Sequence, residues 1–159
     1  MKVLNIHSRT IAQPKERILE LISTLATKED KVWPQEKWPP MRFKNGVVIG
    51  SKGGHGPIRY SIKDKKQDGT IVFQFYNPKG FNGIHKFEIS SIDAQTTEIT
   101  HTIDMETAGT GTLKWIIGVK ALHDALAEDA LDKVENHFSQ NKKQTEWSVC
   151  VKFLRKMLA

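Results

Sequence analysis

Three of the six histidines fall where the local pattern calls for apolar residues. In GIHKFEISSI, His85 shares strand parity with Phe87 and Ile89, and in EITHTIDMET, His101 shares it with Ile99, Ile103 and Met105. Successive strand side chains point to opposite faces, so both imidazoles are expected on the covered face of a sheet. The two strands read as neighbours in one hairpin, which brings His85 and His101 within two residues of each other across it. His123 sits midway along the apolar face of a long helical stretch. Three inward imidazoles have three chemical readings. They are core groups hydrogen-bonded to a neighbour such as Tyr60 or a backbone carbonyl. Alternatively they form a metal site with an open fourth position, which no HxH or HxxxH pair supports locally. In the third reading they are oriented donors or acid–base groups on the wall of a ligand cavity.

Other reactive groups give less. No Ser-His-Asp or Cys-His constellation is visible, and no carboxylate pair suits glycoside chemistry. Asp124 and Asp129 lie off the centre of the helix's apolar face; they read mainly as solvated charge, with Asp124 orienting His123 or another histidine as the alternative. The segment GSKGGHGP lacks the Gly-Lys-Ser/Thr ending of a phosphate loop, and Pro57 stops it entering a helix. A strand bend is the expectation there, with His55 on the surface or at a cavity rim. Cys150 is the single cysteine, which excludes an intrachain disulfide and suits a cytoplasmic setting. The N-terminus has no hydrophobic signal core, and no apolar run approaches the roughly 20 residues needed to span a bilayer. The net charge of +6 invites a nucleic-acid reading. Much of the excess, however, sits in Lys142, Lys143, Lys152, Arg155 and Lys156, and no nucleic-acid-binding motif accompanies it. No nucleic-acid partner, metal or cofactor is expected.

The elements that must position the histidines follow from periodicity. Leu4 to Ile11 alternates as a first strand, with Leu4, Ile6 and Ser8 on one face and Asn5, His7 and Arg9 on the other. Pro14 opens a helix carrying Ile18, Leu19, Ile22 and Leu25 on one face. Thr27 with Asp30 predicts a short second helix. The proline- and tryptophan-rich segment VWPQEKWPPMRF is expected to wrap as a loop over an opening or against the core, with Trp33 or Trp38 guarding the mouth. From Ile58 onward alternating segments and turn signals, Asp68-Gly69 among them, predict a meander of about six strands. Leu113 to Phe138 then reads as one amphipathic helix, capped by Thr112. Ile116, Val119, Leu126, Ala127, Ala130, Leu131, Val134 and Phe138 form its apolar face, while Ala125, Glu128, Asp132 and Asn136 point away. Trp147, Val151, Leu154 and Leu158 mark a further amphipathic segment in the tail, suited to self-packing, a homodimer contact or a peripheral membrane contact.

This layout resembles the START-like, or SRPBCC, helix-grip superfamily, including its polyketide cyclase/dehydrase-type members. The likeness spans residues 1–140 and is carried by GGHGPIRY, GFNGIHKFEI and LHDALAEDALDKVE. It implies an α+β fold, a curved antiparallel sheet of six or seven strands wrapped around a long C-terminal helix, with residues 141–159 as a basic extension. It further implies a cavity for an apolar or amphipathic molecule such as a lipid, polyketide or quinone. Tyr60, Phe73, Phe75, His85, Phe87, His101, Met105, Val119, His123 and Leu126 would line that cavity. Binding alone is the first expectation. The alternatives are a cyclase, aromatase or dehydratase using His85, His101 or His123, and an interaction module acting through the tail.

Overall fold

The computed structural model describes residues 1–158, and side chains up to Met157. Strand β1 (Lys2–Ile11) is followed by helix α1 (Lys15–Ile22), then by β2 (Arg42–Phe43), β3 (Lys52–His55), β4 (Ile58–Lys65), β5 (Ile71–Asn77), β6 (Phe81–Ser91) and β7 (Thr97–Thr107). All seven strands form one antiparallel sheet in the order β1-β7-β6-β5-β4-β3-β2. The sheet curves without closing, and its inner face buries Tyr60, Ile62, Ile71, Phe73, Phe87, Ile89, Ile99 and Ile103 at alternate positions. Within β3, where it pairs closely with β4, the chain needs glycine: Gly54 has φ 148°, and a Cβ there would lie 2.0 Å from the Ile58 carbonyl oxygen. The glycine-rich segment is therefore a short strand followed by a tight turn at Gly56-Pro57.

A continuous helical rod lies across this face. It begins as α2 (Thr110–Lys114), passes through one π-helical stretch (Trp115–Val119), and continues as α3 (Lys120–Phe138). Leu126, Ala127, Ala130, Leu131 and Val134 are buried against the sheet, as the period requires. Two expectations fail at its start. Thr112 does not cap the helix, which starts at Thr110; its hydroxyl instead donates to Thr107 Oγ1 (3.0 Å). Ile116 is 62% exposed and Trp115 is buried in its place. The i→i+5 winding turns less per residue than an α-helix, so a 100° projection loses phase there.

The second short helix predicted at Thr27 is a series of turns. Ala26 adopts φ 62°, which ends any helix, and Asp30 accepts from the backbone N–H groups of Ala26, Val32 and Trp33. The carboxylate thus organises the turn into the tryptophan loop. After Phe138 the chain doubles back as a strap and ends in α4 (Val149–Leu158). Val151 is buried and Trp147 is packed against the core. Leu158, assigned from sequence to the same apolar face, has its side chain outside the described residues. Among those residues no helix is long and apolar enough to cross a membrane.

Candidate functional site

A cavity of about 140 Å³ lies between the helical rod and β4–β7. Its floor is Phe75, Phe81, His85, Phe87, His101 and Ile103 from the sheet. Its roof is Trp115, Val119, Leu122, His123, Leu126, Ala127 and Ala130. The space follows from the sequence: α3 places the small residues Ala127 and Ala130 where larger side chains would fill the gap. Trp33, Trp38, Pro39, His55 and Pro57 form one side, and Arg155 from α4 reaches in to complete it.

The wall carries a row of imidazoles. Register places His85 opposite Ile103 and His101 opposite Phe87, so the two histidines are offset by two residues across the hairpin. His85 Nδ1 and His101 Nε2 are 3.2 Å apart and share one proton between them. His101 stands 5.0 Å, ring to ring, from His123. On the other side His85 stacks on Phe73 at 4.4 Å and meets Tyr60 edge-on at 4.5 Å. Burial raises the pKa of the Tyr60 phenol well above its usual range, so the hydroxyl keeps its proton, and it is hydrogen-bonded to His55 Nδ1 (2.9 Å). Burial also holds His85 and His101 well below the ordinary imidazole range, and takes His55 to about 3. His123 is lowered by burial too, although the nearby Asp124 carboxylate, 3.9 Å from its Nδ1, opposes the shift. The row is therefore neutral at pH 7. Among the described residues, His85 Nε2, His101 Nδ1 and His123 Nδ1 are buried without a hydrogen-bond partner.

A solution NMR structure of a protein from Thermobifida fusca superposes on 91% of this chain and 99% of its own, with TM-score 0.65 and 14% identity. Norcoclaurine synthase from Thalictrum flavum, solved in complex with dopamine and hydroxybenzaldehyde, matches 88% of this chain and 90% of its own, with TM-score 0.63 and 11% identity. A START superfamily protein from Mycobacterium smegmatis matches 83% and 97%, with TM-score 0.53 and 15% identity. The chain has the START-like helix-grip fold. No protein-family model matches it, and no curated protein matches it. At such identities the helix-grip likeness carries architecture and leaves the activity open.

Within the helix-grip cavity, the structure places Phe75, His85, Phe87, His101, Val119, His123 and Leu126 of the expected residues on the wall. Tyr60, Phe73 and Met105 instead lie behind it, fully packed in the core. Trp33 and Trp38 both flank the cavity. Sequence reasoning missed Arg155, whose guanidinium lies 4.6 Å over the Trp38 ring and donates to the Lys37 carbonyl (2.6 Å). It also misjudged Asp129, expected as surface charge. That carboxylate is buried, accepting from Lys37 Nζ (2.6 Å), Trp38 Nε1 (2.7 Å) and Trp147 Nε1 (2.8 Å). It ties the tryptophan loop, the rod and the strap together beside the cavity.

The opposite flank of the rod is polar. Glu128 and Asp132, expected to face away, meet β1. Arg9 donates to Glu128 Oε2 (2.9 Å), Asp132 Oδ1 (2.9 Å) and Glu135. Asn5, His7 and Arg9 thus form the inward face of β1, while Leu4 and Ile6 are exposed. Strand parity gave two faces; the carboxylates on α3 decide which one is inner.

Proposed function

We propose that this protein binds a small, neutral, ring-containing molecule in the cavity, with one hydroxyl or carbonyl group on the imidazole row. The carrying observation is an almost wholly apolar cavity whose buried unpartnered polar atoms, among the described residues, include imidazole nitrogens on its wall. Leaving such a nitrogen unpaired costs about 1–3 kcal/mol, which a ligand hydroxyl would recover in part. A cavity of about 140 Å³ is comparable with one of roughly 150 Å³ known to hold benzene. A lipid, polyketide or quinone would place one ring or a short segment inside and leave the rest at the mouth.

Neutral histidines favour binding over the acid–base alternative. A general acid or base works best with a pKa near the working pH, and burial moves His55, His85 and His101 far below it. They act as fixed dipoles. A carboxylate-bearing ligand would meet no imidazolium, and the Arg155 guanidinium on the wall is already engaged by the Trp38 ring and the Lys37 carbonyl, so little would offset its lost hydration.

Calorimetric titration with 4-propylphenol, 4-propylanisole and propylbenzene tests the reading. The phenol is expected to bind about tenfold more tightly than the hydrocarbon, the value of one hydrogen bond of roughly 1.4 kcal/mol. The anisole falls between them, and Leu126→Trp abolishes binding of all three. Equal affinities for phenol and hydrocarbon would remove the histidines from the reading. Failure of all three, with native mass spectrometry showing an empty protein, would remove the ligand itself.

A further inference from the structure

Outside the cavity, behind His123, a second cluster is unexplained by ligand binding. His7 from β1 and His123 and Asp124 from α3 each bring one ligand atom to a common point, all within 4.8 Å of one another. His7 Nε2 lies 3.2 Å from Asp124 Oδ1, and His123 Nδ1 lies 3.9 Å from the same oxygen. Tetrahedral zinc, with bonds of about 2.0–2.1 Å, spaces its ligand atoms roughly 3.3 Å apart. We propose that His7, His123 and Asp124 form a binding site for a divalent transition-metal ion of the zinc class.

The outer contacts fit that assignment. His7 Nδ1–H donates to Glu128 Oε1 (2.7 Å), and Arg9 in turn holds Glu128 (2.9 Å). A metal-ligating histidine ordinarily gives its other N–H to a carboxylate in this way, which fixes the ring and presents the remaining nitrogen. Lys120 Nζ donates to Asp124 Oδ2 (2.6 Å), leaving Oδ1 to the ion. Two of the buried polar atoms without a partner, among the described residues, belong to this neighbourhood: His123 Nδ1 and Asn5 Oδ1. Asn5 Nδ2 already donates to Asp124 Oδ1 (2.9 Å), and an amide flip would turn its carbonyl oxygen to the ion as a fourth ligand. Two nitrogens with carboxylate oxygen suit zinc or cobalt over magnesium or calcium.

Neither His7 nor Asp124 lines the cavity, whereas His123 does. A bound ion would lock the His123 ring on the cavity wall and fasten β1 to α3. The site stands independently of any ligand in the cavity.

Titration of the full chain with Zn²⁺ by calorimetry, and with Co²⁺ by visible absorption, tests the proposal. One equivalent is expected, with the intense d–d bands of a tetrahedral cobalt site. His7→Gln and Asp124→Asn should each abolish stoichiometric uptake, and Glu128→Gln should weaken it about 10–100-fold. Circular dichroism on each variant separates loss of the site from loss of the fold, and Glu128→Gln retains every proposed ligand. Absence of stoichiometric uptake, or an affinity unchanged in both His7→Gln and Asp124→Asn, would overturn the proposal. So would a ¹⁵N spectrum showing both His7 nitrogens protonated in excess Zn²⁺.

Discussion

The helical rod meets the sheet along two flanks of opposite character. Toward β1 it is fastened by charge: Arg9 bridges Glu128, Asp132 and Glu135, and Asn5 and His7 reach Asp124. Toward β4–β7 it touches apolar side chains and neutral imidazoles, and leaves a cavity. Ion pairs and hydrogen bonds have direction and fix distance, whereas apolar contact tolerates a gap. A rod clamped along one edge can stand off the sheet along the other. The polar flank therefore holds the roof of the cavity in place.

Arg9→Ala attacks this arrangement most directly, because it strands the Asp132 carboxylate, whose side chain is 3% exposed. Breaking one partner of a buried pair costs about 3–5 kcal/mol, and urea unfolding should show a loss of that size. Arg9→Met with Asp132→Leu removes both charges and should recover most of it. A loss below about 1 kcal/mol in Arg9→Ala would mean the flank is solvated and the clamp is not needed.

Acid separates the flanks by pH. A base whose folded pKa is depressed binds more protons when unfolded, so its contribution to stability is complete above the unfolded value and lost as pH falls. For His55 that window runs from about 6.5 down to about 3, and His85 and His101 shift in the same direction. Each adds a slope of up to ~1.4 kcal/mol per pH unit. On the polar flank, burial would raise the Asp132 pKa, but hydrogen bonds from Thr145 and Arg9 bring it below its ordinary value. Its contribution is complete above about pH 4 and is lost only below that. Denaturation followed from pH 7 to 4 should thus weaken the cavity flank first. His101→Leu should flatten the slope measurably; an unchanged profile would show that His101 binds protons alike in the folded and unfolded states.

The same substitution sharpens the contrast at neutral pH. His101→Leu removes the unpartnered His101 Nδ1 but leaves His85 Nδ1 without its partner, so the unfolding free energy should change by less than about 1 kcal/mol while 4-propylphenol binds more weakly. A folded variant with unchanged phenol affinity would assign the hydroxyl to another imidazole. The smallest effect is expected from Arg155→Ala. It removes the cation–π contact with Trp38, worth about 0.5–1 kcal/mol, and should speed probe entry and exit more than it changes affinity.

Sequence reading reached the floor of the cavity by parity alone. The period of two put His85 and His101 on the inner face, and the hairpin put them within two residues of each other, although its turn does not fix the register that the structure shows. It reached α3 through the spacing of Leu126, Ala130, Leu131 and Val134. It failed where an element's own pattern is silent about its neighbour. In β1 the apolar Leu4 and Ile6 are the natural inner set, yet the acids of α3 that face β1, only Asp132 of them buried, draw in Asn5, His7 and Arg9. Asp129 looks solvated until two indoles from distant segments are seen to converge on it. The π-helical stretch has no periodic signature in five residues, and Arg155 reaches the cavity from a strap whose path the sequence does not specify. Local patterns state what a segment can bury; long-range polar partners decide what it does bury.

The convergence on Asp129 also has an optical consequence. All four tryptophans of the chain gather at one place: Trp33, Trp38 and Trp115 on the cavity wall, and Trp147 at 5.3 Å from Trp38. No indole elsewhere contributes background emission. Intrinsic fluorescence therefore samples this one compartment, and the unlabelled protein carries its own gauge of whether that compartment is dry, wet or filled.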